Sequence, residues 1–214
     1  MDLSQKITTL AQHGTTWVLW LLIALSVTAI AIVLERAVLF WSSRDDIAKL
    51  RRELRQMLTR GQTEAAQKML ERSPSYEARI ASVGLDIDGS ASAEERMRAE
   101  GEIVRLRMEQ NLSFLGTLGN NAPFVGLLGT VIGIVRAFRE LEHSQGRVSA
   151  ALMTEVGEAL VATAVGLLIA LPAVAFFNLF QRLIRARISR AEALIREILA
   201  FYKSPAATFV TPGE

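Results

Sequence analysis

Trp17-Val-Leu-Trp-Leu-Leu-Ile-Ala-Leu-Ser-Val-Thr-Ala-Ile-Ala-Ile-Val-Leu34 carries no charged side chain, and as a helix it is apolar around its whole circumference. A helix of that kind lies inside a large core or inside a bilayer. The uncharged window is wider still, from Ile7 to Leu34. Two more windows free of Asp, Glu, Lys and Arg run from Leu112 to Val135 and from Ala159 to Gln181. Each reaches the roughly 20 residues that a helix needs to cross a hydrocarbon core of about 30 Å. A chain of 214 residues cannot wrap three such helices in a soluble core. The expected fold class is therefore all-α, a polytopic membrane protein with three transmembrane helices and long helices that extend into the cytoplasm.

The rest of the composition narrows the chemistry. Hydrophobic residues make up 50% of the chain and charged residues 21%, and the two are segregated rather than mixed. A disordered chain needs low hydrophobicity and high net charge. The absence of cysteine excludes disulfides, thiol catalysis and Cys-based zinc sites. His13 and His143 stand too far apart in sequence for a His-based metal cluster, so no metal and no cofactor is expected. A net charge of +2 gives no footprint for nucleic acid. No Gly-rich phosphate loop ending in Lys-Ser/Thr is present, and no Ser–His or Asp–Asp pair sits in an apolar span, so no enzyme is expected.

The first span reads as a retained helix and not a cleaved signal peptide, because Leu34-Glu-Arg36 follows it where small residues would precede a cleavage site. Arginine and lysine then set the orientation. Arg36, Arg44, Lys49, Arg51, Arg52 and Arg55 follow the first span, Arg98, Arg105 and Arg107 precede the second, and Arg182, Arg185, Arg187 and Arg190 follow the third. The positive-inside rule puts residues 42–110 and the C-terminus in the cytoplasm and the N-terminus in the periplasm. Arg136 and Arg139 run against this, near the outer interface. The expected organisation is a periplasmic N-terminus 1–15, spans 16–40, 112–138 and 150–181, a cytoplasmic helical domain 41–111, a short periplasmic loop 139–149, and a cytoplasmic helix extension and tail 182–214.

Outside the spans, Ser43 with Asp46 resembles a helix cap, Ile47, Leu50, Leu54, Met57 and Leu58 recur at helical spacing, and Gly61 ends that helix. A new helix is expected after Ser73, a break from Asp86 to Ser92, and a helix from Ser92 running straight into the second span. The third helix is expected to continue to about residue 203, where Pro205 follows. Its stripe of Ile184, Ile188, Ala191, Leu194, Ile195 and Ile198 calls for a partner, either the 42–110 helices or other copies of the chain. The basic 44–60 segment can also touch anionic membrane lipid.

Small and polar residues mark the spans. Gly119, Gly126 and Gly133 recur every seven residues, with Gly129 beside them, and Gly166 lies among alanines on the third span. Such residues let membrane helices approach closely. Counted at 1.5 Å per residue, Thr130 lies about 16 Å and Thr163 about 20 Å from the outer ends of their helices. Two hydroxyls at one height can form a polar ring in an oligomer. Glu158 either snorkels at the outer interface or faces a bundle interior or wet path. Five residues from Thr163, it points about 140° away, so the two cannot both face one pore squarely.

Asn121-Ala-Pro-Phe-Val-Gly-Leu-Leu-Gly-Thr-Val-Ile-Gly-Ile-Val-Arg-Ala-Phe138 and Gly157-Glu-Ala-Leu-Val-Ala-Thr-Ala-Val-Gly-Leu-Leu-Ile-Ala-Leu-Pro-Ala-Val-Ala-Phe-Phe-Asn178 resemble the ExbB/TolQ family, the three-span branch of the MotA/TolQ/ExbB superfamily. The resemblance implies a homo-oligomeric ring of five copies around a dimer of a single-span ExbD/TolR-type partner, and it leaves room for a third TonB/TolA-type component. Protons pass an aspartate on the partner, and the proton motive force drives an outer-membrane or envelope process such as TonB-dependent import or Tol-Pal function. It places the pore-lining threonines on Thr130 and Thr163 and the third-span glutamate on Glu158. A gliding-motility motor subunit and a passive membrane scaffold are the alternatives.

Overall fold

The computed structural model describes residues 16–85, 90–144 and 148–203. The expected N-terminus 1–15, part of the Asp86–Ser92 break, part of the 139–149 loop and the tail beyond Lys203 lie outside the described residues. Within them the chain is helical, with no strand. Three of the helices are long and apolar enough to cross a membrane.

Helix α1 spans Thr16–Ser42. α2 (Ile47–Thr59) is capped by Asp46, whose carboxylate accepts the Lys49 backbone N–H. This corrects the expected cap at Ser43. The Ser43 hydroxyl turns back to donate to the Leu39 carbonyl at 2.7 Å, so it closes α1 instead of opening α2. Gly61 takes a left-handed φ of 71° just past α2, where glycine has no side chain to strain. α3 spans Thr63–Arg72. α4 (Tyr76–Ser82) is capped by Ser75, two residues later than expected, because Ser73 is spent closing α3.

α5 (Ser90–Glu109) does not run into the second span as expected. Asn111 stands at φ 64°, a left-handed conformation that asparagine tolerates, and α6 (Leu112–His143) starts anew after it. The third long helix does continue: α7 covers Ala150–Tyr202, about 80 Å at 1.5 Å per residue.

The chain divides into two compact units. The first comprises residues 1–34 and 111–179, and the second 35–110 and 180–214. The first holds the apolar parts of α1, α6 and α7. Val18 and Leu22 of α1, Leu115, Leu118 and Ala122 of α6, and Ala159, Ala162, Ala170 and Ala173 of α7 are buried there. The second unit has a core of large aliphatic side chains, among them Leu54, Leu70, Ile80, Met97, Leu194 and Ile198. Phe40 and Phe180 stack in it, with ring centroids 5.6 Å apart. The α7 stripe therefore packs within its own chain at Ile184, Ala191, Leu194 and Ile198, while Ile188 and Ile195 are only half-buried.

Two arginines are buried in this second unit. Arg187 of α7 donates to the carbonyls of Phe40 and Ser43 at 2.7 and 2.9 Å, and to the Ser43 hydroxyl. It thus satisfies the orphan carbonyls at the end of α1. Arg36 of α1 does the same for α5, donating to the Arg107 carbonyl at 3.0 Å. Glu77 is 2% exposed and lies 3.8 Å from Arg187, but its Oε2 receives no hydrogen bond. Burial therefore pushes its carboxyl above the ordinary 4.5, more than the Arg187 charge pulls it down. Burial likewise lowers the Arg187 pKa, against the pull of Glu77.

Candidate functional site

The site in the first unit is built on missing side chains. A Cβ at Gly126 would lie 2.7 Å from the Ala162 carbonyl oxygen and 2.9 Å from the Thr163 Cα. One at Gly166 would lie 2.7 Å from the Ala122 carbonyl oxygen, and one at Gly129 would meet the Ala162 methyl at 2.7 Å and Val18. These obstacles are largely backbone and cannot rotate away. Gly119 lies against Val174, and Gly133 is buried on the same face of α6. The predicted packing glycines are thus all on the α6–α7 seam or its continuation, and the helices touch backbone to backbone.

That approach brings the two threonines together. Thr163 donates from α7 to the Gly126 carbonyl at 3.1 Å. Thr130 on α6 reaches the Ala159 carbonyl at 3.1 Å and the Gly126 carbonyl at 3.4 Å. The two hydroxyls are also in hydrogen-bond contact with each other. Each threonine can therefore donate to the carbonyl four residues before the other one, across the seam. Each hydroxyl has a single proton and more than one acceptor, so the protons can be redistributed without moving the backbone. Both side chains are half-buried.

Glu158 is not part of this cluster. It lies on an exposed face of α7 with Val161 and Leu168, the latter 70% exposed. The 140° separation thus puts Thr163 in the seam and Glu158 on the surface of the single chain. A carboxylate among large exposed apolar side chains is costly in a bilayer unless another surface or a wet path meets it. Asn120, Asn121 and Thr117 are exposed on α6, with the Asn121 side chain turned to the Thr117 carbonyl.

Sequence reasoning missed one feature of the seam. Arg136 of α6 and Glu155 of α7 form an ion pair at 2.9 Å, with side chains 31% and 20% exposed. Only heptad arithmetic could have hinted at it. Arg136 stands seven residues beyond Gly129, and Glu155 seven before Ala162, on the faces that carry the small residues.

The model of the MotA/TolQ/ExbB proton channel family matches residues 32–193. The chain is 43% identical over 79 residues to a putative biopolymer transport protein ExbB-like 2 of Helicobacter pylori, covering 37% of this chain and 53% of that one. It is 41% identical over 95 residues to the Tol-Pal system protein TolQ of Pseudomonas aeruginosa, 44% of this chain and 38% of that one. A biopolymer transport protein ExbB of Pseudomonas putida is 42% identical over 91 residues, 41% and 28% of the two chains. The chain thus spans about half or less of the length of these relatives. With three helices of spanning length and a family match that embraces most of the chain, this inner-membrane protein belongs to the MotA/TolQ/ExbB proton channel family.

Proposed function

We propose that the chain is the ring-forming subunit of an energy-transducing complex of the ExbB/TolQ type. Five copies surround a dimer of a single-span ExbD/TolR-type partner, and the proton motive force drives that partner. Residues 41–111 and 182–214 face the cytoplasm, residues 1–15 and 139–149 face the periplasm, and 16–40, 112–138 and 150–181 span the bilayer. The reading rests above all on the cross-seam contact of Thr130 and Thr163, two hydroxyls that meet each other and share the Gly126 carbonyl between apolar helices. They line the proton path, and Glu158 faces either that path or a neighbouring copy. The work delivered supports an envelope process such as TonB-dependent import or Tol-Pal function, with gliding motility as the alternative. One charge falling through 100 mV releases about 2.3 kcal/mol, comparable to a coupling free energy of 1–3 kcal/mol between two packed states.

The test is proton uptake by proteoliposomes holding the chain with its co-expressed partner. Thr163→Val and Glu158→Ala should leave the native mass of the complex unchanged and abolish uptake. Full uptake by both variants would falsify the site. If cellular function survives collapse of the proton gradient, the chain is a passive scaffold.

A further inference from the structure

The small-residue faces of α6 and α7 are not apolar throughout. Toward the α6–α7 connection they carry Arg136 and Glu155, joined at 2.9 Å across the helices and mostly buried, with Leu152 buried about a turn further along α7. Arg136 stands six residues from Thr130, about 9 Å along α6, and Glu155 eight from Thr163, about 12 Å along α7. Both lie toward the α6–α7 connection. The Glu155 Oε2 is buried and makes no hydrogen bond among the described residues, so this carboxylate depends on Arg136 for its partner. A charge so placed has only one favourable position, which is opposite the other. Glycine and alanine faces are smooth and resist sliding or rotation poorly, whereas an ion pair at one end picks a single register.

We propose that Arg136 and Glu155 are positioning residues that lock the α6–α7 register in which the Thr130 and Thr163 hydroxyls meet. They act on the path through the threonines and carry no proton themselves. The inference deepens the proton-path reading and rests on it for its functional meaning, but its geometric part is separable. The chain has no cysteine, so a Thr130→Cys/Thr163→Cys pair gives an oxidative cross-link whose yield reports the register directly.

In that background, Arg136→Gln or Glu155→Gln should lower the yield at least about threefold, and the swap R136E/E155R should restore it to within about twofold, as a coupled pair requires. Arg136→Lys, which keeps the charge, should retain it. With the threonines intact, proton uptake per assembled complex should fall in the neutral variants and return in the swap. A pair that serves stability alone would change the amount of complex and leave uptake per complex unaltered. Unchanged cross-linking in an assembled neutral variant overturns the proposal, as does unchanged uptake per complex where Thr163→Val abolishes uptake. A swap that stays unassembled along with both neutral variants overturns it too, because the pair would then serve insertion and not register. If Thr163→Val conducts fully while cross-linking still follows the ion pair, the proton path has failed and the register lock has not.

Discussion

The two units of this chain hold helices together by opposite means. In the second, large side chains fill the space between helices, and Arg187 and Arg36 spend their guanidinium groups on helix-end carbonyls. In the first, helices meet where side chains are absent, at Gly126 against Ala162 and Gly166 against Ala122. Burying apolar surface drives association in water but gives little advantage between helices in lipid, where close van der Waals contact and hydrogen bonds remain. The first unit therefore places Thr130 and Thr163 at contact points that the glycines open, and those points are where chemistry can occur. The second buries its two arginines where they finish its helices.

The sharpest break of this contrast is Arg187→Ala. It leaves the Phe40 and Ser43 carbonyls without their donor and should cost about 3–5 kcal/mol, the range for removing one partner of a buried charged cluster. Denaturation of the purified complex, followed by loss of helicity, would measure it. Gly126→Val comes next. Its Cβ would push on the Ala162 carbonyl and Thr163 backbone, so overpacking of about 1–3 kcal/mol is expected, with loss of the Thr130–Thr163 cross-link in the cysteine background.

Thr163→Val should be milder for stability, about 0.6–1.7 kcal/mol for a membrane hydrogen bond, yet severe for proton uptake. A stability loss matching Gly126→Val with uptake intact would erase the distinction between packing and path. The smallest effect belongs to Ile103→Ser, exposed on α5. It should stay within about 0.5 kcal/mol in the isolated protomer, and a larger loss in the assembled complex would mark that face as covered.

Glu77 supplies a test by pH. Its folded-state pKa is raised above 4.5, so its contribution to stability is fully present below pH 4.5 and is lost as pH rises through the folded value. Glu77→Gln should flatten that slope, and the parent protein should lose stability relative to the variant as the pH climbs through this window. A slope of opposite sign would mean that Arg187 outweighs burial at this carboxyl.

Much of the architecture could be read without coordinates, because the spans announce themselves through uniform apolarity and the long third helix through its unbroken rhythm to Tyr202. Height along a helix is also simple arithmetic, which is why Thr130 and Thr163 could be set at one level in advance. The break at Asn111 was not readable, since a single left-handed residue interrupts no pattern. By sequence, Arg36 and Arg187 read as charges that orient the chain, and Arg136 as one that runs against that orientation. The fold also uses each as a donor or ion-pair partner, with partners at sequence separations of 71 for Arg36 and 147 for Arg187.

Composition and period alone thus determined that this chain is helical, that three helices are apolar enough to cross a bilayer, and which residues lie on which face. They could do so because hydrophobicity and helical repeat are local properties. Which hydroxyl meets which carbonyl, which charge closes the seam and which caps a helix were decided only by the tertiary structure. Those pairings depend on helices approaching to within a backbone's width, and no short window of sequence encodes that distance.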